Sequence, residues 1–102
     1  MILIMCTVGS EDNAGLIARS LVEEKLAACV NVVPKVQSIY SWKGEIVEDN
    51  ELLLLIKTRG QMYTQVEARI RALHTYEVPE IIAFDITKGS KDYLDWIKTI
   101  TQ

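Results

Sequence analysis

The stretch HTYEVPEI, residues 74–81, holds most of the side chains in this chain that could take part in chemistry. It contains the only histidine, His74, and close behind it Tyr76, Glu77 and Pro79. An imidazole ring is a good ligand for copper and zinc, and an aromatic ring beside a charged group suits a small-ligand pocket. The stretch therefore predicts either a metal ligand or one wall of a binding cleft.

A cleft is the first possibility, with Tyr76 and Glu77 held extended by the following proline and facing Trp42 and Lys57. Aromatic faces with a few convergent charges are what a small-ligand pocket needs, and such pockets often form where subunits meet. The alternative is structural: Tyr76 packs at a subunit contact and Glu77 pairs with Lys57 or a backbone amide. Packing is the default expectation, because aromatic side chains are enriched at interfaces in any case.

The totals of the sequence exclude several classes of protein. A chain of 102 residues has the length of one domain, and a net charge of −3 gives no general attraction for nucleic acid or anionic lipid. No apolar run approaches the roughly 20 residues of a membrane-spanning helix, so the sequence predicts a cytoplasmic protein. It contains no glycine-rich phosphate loop and no nucleophile beside an obvious base, which predicts a protein that is not an enzyme. The carboxylates at 48, 49 and 51 are expected on a solvated hairpin tip.

Apolar periodicity places these residues on elements in the order β-α-β-β-α-β-α. The chain is therefore expected to form one ferredoxin-like βαββαβ sandwich of the α+β class, spanning residues 1–102, with a long hairpin between the second and third strands and an additional C-terminal helix. Strands are predicted at 2–8, 28–43, 45–58 and 81–87, with a bend or break at Pro34, and helices after Ser10, Thr58 and Ser90.

Local signals also predict boundaries and core positions. The first helix is expected to end near Leu26, and the hairpin to turn at Gly44–Glu45. Thr58 and Gln61 have the spacing of a capping box, which predicts the start of the second helix. Trp96 lies on the apolar stripe of the last helix and is expected in the core.

The strands are apolar on both faces, as ILIMCTV, LLLLI and IIAFDI demonstrate. An antiparallel sheet with water on one side normally alternates apolar and polar residues, so a single copy would expose a large apolar patch. The sequence therefore predicts an obligate oligomer, with Tyr40 and Trp42 of the hairpin as anchors of the interface.

The segments LVEEKLAACVN, SIYSWKGEI, LLLLIKT, YEVPEIIAFDITKG and YLDWI, which together cover nearly the whole chain, resemble the CutA divalent-cation tolerance family. The resemblance implies a ferredoxin-like subunit in a homotrimer built like the PII signalling proteins, whose hairpins extend a neighbour's sheet. It also implies tolerance of divalent cations, binding of copper or a related cation, and Cys6 and His74 as the metal ligands.

Cys6 and His74 could also have purely structural roles, judged from their residue types and positions. One thiolate and one imidazole make at most half a copper site, whereas a buried cysteine is usually inert and a histidine at a helix end often caps carbonyls. Two functional hypotheses follow: a trimeric copper-binding tolerance protein, or a PII-like signalling trimer without metal chemistry that binds a small anion or a partner through Trp42, Lys57, Tyr76 and Glu77. A purely structural scaffold for an appended partner is the third.

Overall fold

The structure is a computed structural model that describes residues 1–102. It confirms the predicted α+β class and element order. The elements are β1 (Ile2–Val8), α1 (Glu11–Glu23), β2 (Cys29–Trp42), β3 (Glu45–Thr58), a 3-10 turn (Gly60–Met62), α2 (Tyr63–Leu73), β4 (Ile81–Asp85) and α3 (Lys91–Ile100).

The four strands form one sheet in the order β2-β3-β1-β4, and every neighbouring pair is antiparallel. Alternate residues of β1 point to one side of the sheet, where they pack beneath α1 and α2 as a single core. The helices contribute Ile17 and Leu21 from α1 and Val66 and Ile70 from α2, all fully buried. This spacing of three and four residues is the periodicity from which the helices were predicted.

The hairpin of β2 and β3 is the longest feature of the fold, with 14 residues in each strand. The predicted bend is a bulge between Val33 and Val36, where Pro34 lies and Lys35 adopts a φ of 60°. Proline lacks the N–H that a regular ladder needs, so a bulge on an edge strand accommodates it. The predicted turn at Gly44–Glu45 was one residue too late.

The turn consists of Lys43 and Gly44, with φ values of 50° and 80°, because Trp42 and Glu45 already face each other in the ladder. Positive φ at both central positions suits the right-handed twist of the strands, which is why a glycine is favoured there. Gly44 supplies the second of these conformations without steric cost.

Two helix boundaries also differ from the prediction. Helix α1 ends at Glu23 and not near Leu26, which lies in the turn that leads to β2. Thr58 caps no helix, because its hydroxyl is buried and donates to the Leu26 carbonyl oxygen at 2.7 Å. Helix α2 begins after the 3-10 turn without a side-chain cap, so the capping-box prediction was wrong.

Helix α3 begins as predicted, with the Ser90 hydroxyl accepting from the Tyr93 N–H at 3.4 Å. Only Ile97 of this helix is buried. The prediction that Trp96 belongs to the core was wrong for the single chain, because its side chain is 41% exposed and stacks beside Tyr93 with ring centroids 5.6 Å apart. A helical stripe predicts which residues share a face, but not what covers that face.

The side of the sheet opposite the core is apolar, as the strand sequences predicted. Residues directly opposite in neighbouring strands share a face, so the pairings Leu55–Met5 and Met5–Ile82 form one continuous row. We call this surface the open face; its large apolar residues on β1, β3 and β4 are Leu3, Met5, Leu53, Leu55, Ile82 and Phe84. Two of them are exposed, Ile82 at 46% and Phe84 at 51%.

Candidate functional site

His74 lies directly after α2, where the chain becomes extended. Its Nε2 atom is 2.8 Å from the Thr7 carbonyl oxygen, and its Nδ1 atom is 3.0 Å from the backbone nitrogen of Tyr76. A carbonyl can only accept and a backbone N–H can only donate, so the ring is the neutral tautomer with its proton on Nε2. Both nitrogens are engaged within the chain, and neither has a free lone pair for a metal ion.

Cys6 is fully buried on the core side of β1, with its Sγ 3.7 Å from the same Thr7 carbonyl oxygen. Burial, and to a smaller extent the nearby charges of Glu80 and Glu51, raise the pKa of its thiol to about 12. The thiolate is the form that binds metals, so a thiol that keeps its proton is a poor ligand.

Cys6 and His74, the predicted metal ligands, therefore both contact the Thr7 carbonyl oxygen, and no third metal ligand lies beside them. The chain contains no group of three or more histidine, cysteine, aspartate or glutamate side chains arranged to hold a metal ion. Cys6 and His74 in this arrangement do not fit a copper ion, because one is protonated and buried and the other is fully hydrogen-bonded.

A cleft of about 410 Å³ lies where the hairpin passes the segment after α2. It brings together three of the four side chains predicted for a ligand pocket: Trp42, Tyr76 and Glu77. We call it the aromatic-acidic cleft, and its lining residues are Thr7, Tyr40, Trp42, Asp49, Tyr76, Glu77, Val78 and Glu80.

Lys57, the fourth predicted side chain, lies elsewhere in the chain. It is on the open face between Leu3 and Cys29 in the strand ladder, and its Nζ donates to the Asn31 Oδ1. Lys57 does not pair with Glu77 within the single chain, so that prediction was wrong for one copy. The lining of the cleft consequently carries three carboxylates and no lysine, arginine or histidine.

Two tyrosine hydroxyls of the cleft donate to carboxylates. The Tyr76 hydroxyl donates to the Glu51 Oε2 at 2.8 Å, and the Tyr40 hydroxyl donates to the Asp49 Oδ2. Burial, and then the bond to Glu51, raises the pKa of Tyr76, while the bond to Asp49 raises the pKa of Tyr40. Both tyrosines therefore remain protonated donors at neutral pH.

The prediction that the carboxylates at 48, 49 and 51 form a solvated hairpin tip holds for the exposed Glu48 but was wrong for the other two. Glu51 is 6% exposed and lies opposite Val36, and Asp49 lies opposite Ser38, well below the turn. The missed signal is the two-residue period of a strand, which places Asp49, Glu51 and Leu53 on one side.

The model of the family described as CutA1 divalent ion tolerance protein matches residues 2–100. The chain belongs to this CutA1 family. It is 52% identical over 99 residues to the divalent-cation tolerance protein CutA of Thermus thermophilus, covering 97% of this chain and 96% of that protein. The human protein CutA is 44% identical over 96 residues, and the match covers 94% of this chain but only 54% of the human protein.

Solved CutA1 structures share the whole fold. The protein from Thermus thermophilus superimposes with a TM-score of 0.97 at 51% identity, with full coverage of both chains. The Archaeoglobus fulgidus structure, described as a periplasmic divalent cation tolerance protein, has a TM-score of 0.97 at 38% identity, again with full coverage of both chains. None of the helices of the present chain has the length and apolar composition needed to cross a membrane.

Proposed function

We propose that this chain acts in tolerance of divalent cations, as a homotrimer that binds copper or a related divalent cation. The observation that carries the proposal is the family match over residues 2–100, together with a Thermus thermophilus relative named for divalent-cation tolerance. The proposal is for a binding protein, with no reaction assigned to it, in the cytoplasm. Cell fractionation with an antibody against the chain tests the location.

The open face supports the assembly. Four of its apolar residues are half-buried and two are exposed, on the side of the sheet that α1 and α2 do not cover. Fully burying an exposed large apolar side chain contributes roughly 1.5–3 kcal/mol, and a half-buried one contributes less, so covering this face with other copies is favourable. The face is continuous across β3, β1 and β4, which suits contact between sheets.

The shape of the chain supports a trimer in which hairpins reach neighbouring copies. The radius of gyration is 14.1 Å, against about 12.8 Å for a compact domain of this length. The extents of 44 × 25 × 22 Å reflect the projecting hairpin, whose outer strand β2 is an unpaired edge. Tyr40 and Trp42 lie on that strand and are proposed as interface anchors, since an edge strand with aromatic side chains suits pairing with another copy.

Sedimentation equilibrium at micromolar concentration tests the assembly. We expect a single species with three times the 11.5 kDa mass of the chain. A stable, folded monomer would remove both the trimer and the interface role of Tyr40 and Trp42.

The cation part of the proposal rests on family membership and not on a preformed site. For Cys6 and His74 to bind copper, Cys6 must lose its proton and His74 must give up at least one of its two hydrogen bonds. Calorimetry with Cu(I) and Cu(II) on the wild type, Cys6→Ser and His74→Ala tests the pair. Binding that is unchanged in both variants would leave the cation without these ligands.

A second candidate function, a PII-like trimer that binds a small ligand, is favoured by the aromatic-acidic cleft. Its volume of about 410 Å³ is within the usual range for small-molecule sites. A thermal-shift screen compares metabolites with metal salts, because a ligand that binds only the folded form raises the unfolding midpoint. Stabilisation by metabolites alone would favour this function over cation tolerance.

A further inference from the structure

We propose that Lys57 of each copy enters the aromatic-acidic cleft of a neighbouring copy and pairs there with the carboxylates of Glu77 and Glu80. The pairing rests on the proposed trimer and identifies a residue that a second copy contributes to the cleft. In a closed ring of three copies, each copy presents its lysine to one neighbour and its cleft to the other, so the contact forms at every junction. Assembly then completes a site of which a single chain holds only a part.

Lys57 is the one basic residue of β1, β3 and β4, and it is half-buried on the open face in a row with Leu3 and Phe84. Its Nζ donates to the Asn31 side-chain oxygen, which is a neutral acceptor, and it takes part in none of the salt bridges within the chain. When other copies cover the open face, this ammonium group loses its water. A buried charge without a counter-ion is costly, so the covered face requires an anionic group beside Lys57.

The aromatic-acidic cleft has the opposite imbalance of charge. Its lining contains three carboxylates and no lysine, arginine or histidine. Asp49 accepts the Tyr40 hydroxyl, whereas Glu77 and Glu80 are exposed and form no salt bridge within the chain. Surfaces that meet in a specific contact usually carry complementary charges. The cleft and the surroundings of Lys57 are such a pair of surfaces, and both are present on every copy.

The hairpin places the cleft and the lysine on one continuous surface. Residues at alternate positions of β3 point to the same side, so Asp49 of the cleft and Lys57 of the open face share a side of the strand. Tyr40 lies opposite Val47, which belongs to the same series of positions. Contact between two copies through this side of the sheet therefore involves the cleft of one copy and the lysine-bearing face of the other.

A lysine side chain suits the rings of the cleft as well as its carboxylates. Lysine buries its methylene stem along apolar surface while its ammonium group reaches a polar partner. The rings of Tyr40, Trp42 and Tyr76 line the same cleft as Glu77 and Glu80, so stem and charge both find contacts there. The lysine of a neighbouring copy then takes the place that the second candidate function gives to a small ligand.

Mixing of charge-reversed copies tests the pairing, with the mass of the wild type measured first by sedimentation equilibrium. Lys57→Glu places like charges at every junction and is expected to raise the concentration at which half of the trimer dissociates by about tenfold or more. Glu77→Lys reverses the other partner and should weaken assembly in the same way. In an equimolar mixture, copies of one variant meet opposite charges on copies of the other, so trimers are expected to form again. A pair within one chain would give no such recovery.

Matched variants separate a specific pair from an effect of net charge. Glu80→Lys is expected to restore assembly with Lys57→Glu copies, whereas Glu23→Lys, on α1 and outside the cleft, makes the same charge change and should not. Lys57→Met keeps an apolar stem without the charge, so it tests the same contact even where Lys57→Glu fails to fold. It should weaken the trimer, while Lys98→Met on the exposed side of α3 should not. Circular dichroism verifies that each variant folds.

The failure of the pairing and the failure of the trimer are distinguishable. A monomeric wild type would remove the proposed trimer and the pairing with it. A trimer that tolerates Lys57→Glu or Lys57→Met as well as it tolerates Lys98→Met would keep the assembly and exclude Lys57 from its contacts. Recovery with Glu23→Lys copies would assign the effect to net charge. Loss of assembly in Lys57→Glu that neither Glu77→Lys nor Glu80→Lys restores would place the partner of Lys57 outside the cleft.

Discussion

Glu51 is a buried carboxylate without a basic partner. The Tyr76 hydroxyl is its hydrogen-bond donor, and the neighbouring His74 holds the Tyr76 backbone through Nδ1. Burial of a charge is costly unless hydrogen bonds compensate it. His74 and Tyr76 are therefore explained first as structural residues that stabilise one carboxylate.

Tyr76→Phe is expected to destabilise the fold by about 1–3 kcal/mol, because Glu51 remains buried and loses its donor. Denaturation by guanidinium chloride measures the change. Tyr40→Phe is the matched control: it also removes a hydroxyl bonded to a carboxylate, but within the chain that carboxylate, Asp49, is only half-buried, so the loss should be smaller. Equal losses in the two variants would contradict the role given to burial.

Cys6 is expected to resist alkylation in the folded protein. Its pKa of about 12, against an ordinary value of 9.0, lowers the thiolate fraction near pH 8 roughly a thousandfold. Labelling with iodoacetamide in a Cys29→Ser background, with and without denaturant, measures this protection. Similar rates in the folded and denatured protein would show that the thiol is accessible.

The raised pKa of Cys6 also determines a pH dependence. The folded chain retains the thiol proton where the unfolded chain has lost it, so this contribution to stability is complete below pH 9.0 and decreases as the pH rises to about 12. Cys6→Ala should flatten this part of the stability curve. A curve that keeps its slope would assign the decline to other groups.

At the scale of elements, the sequence predicted types and order better than boundaries. The period of two in ILIMCTV and the three- and four-residue spacing in α1 reflect burial against one core, which local sequence encodes. The Thr58 capping box failed because a contact with Leu26, distant in the chain, uses the hydroxyl that the cap requires. The end of α1 was misplaced because apolar residues continue past the helix into the turn.

The site was predictable only in part for the same reason. Tyr76, Glu77 and Trp42 were recognised by residue type, and the fold brings them to one cleft. Asp49 and Glu80 were missed, because their position in the cleft depends on how the hairpin crosses the segment after α2. Lys57 could not be excluded from the sequence, since the register that sends it to the open face is a tertiary property.

Helix α1 depends on the cap at Ser10, whose hydroxyl accepts from the Asn13 N–H at 3.1 Å. Ser10→Ala is expected to lower the unfolding free energy by about 1 kcal/mol, while Ser10→Asp should retain most of it. Ser41→Ala, on an exposed strand position, is the control for loss of a serine hydroxyl. Chemical denaturation of the three variants compares them, and equal losses in Ser10→Ala and Ser10→Asp would exclude a capping role.

For the whole molecule, the open face is an apolar surface that α1 and α2 of the same chain do not cover. It carries six large apolar side chains, yet α1 and α2 lie on the other side of the sheet. Soluble monomers rarely expose contiguous apolar patches beyond a few hundred Å². The proposed trimer accounts for this surface.

Phe84→Glu is expected to dissociate the proposed trimer, because it places a charge on the apolar surface that the other copies would cover. Leu16→Glu is the matched control on the outer side of α1, at 49% exposure against 51% for Phe84. Sedimentation measures the mass, and circular dichroism verifies that each variant folds. A trimer that survives Phe84→Glu would mean that the open face is not the contact between copies.

The turn at Lys43 and Gly44 has a consequence for chirality. A Cβ added to Gly44 would meet no atom within 4 Å, yet the φ of 80° is one that L residues rarely adopt. The obstacle at this position is therefore the handedness of the residue and not its size, because D residues prefer positive φ. A chain assembled by chemical ligation with D-alanine at position 44 should tolerate the extra methyl group that L-alanine could accommodate only with strain.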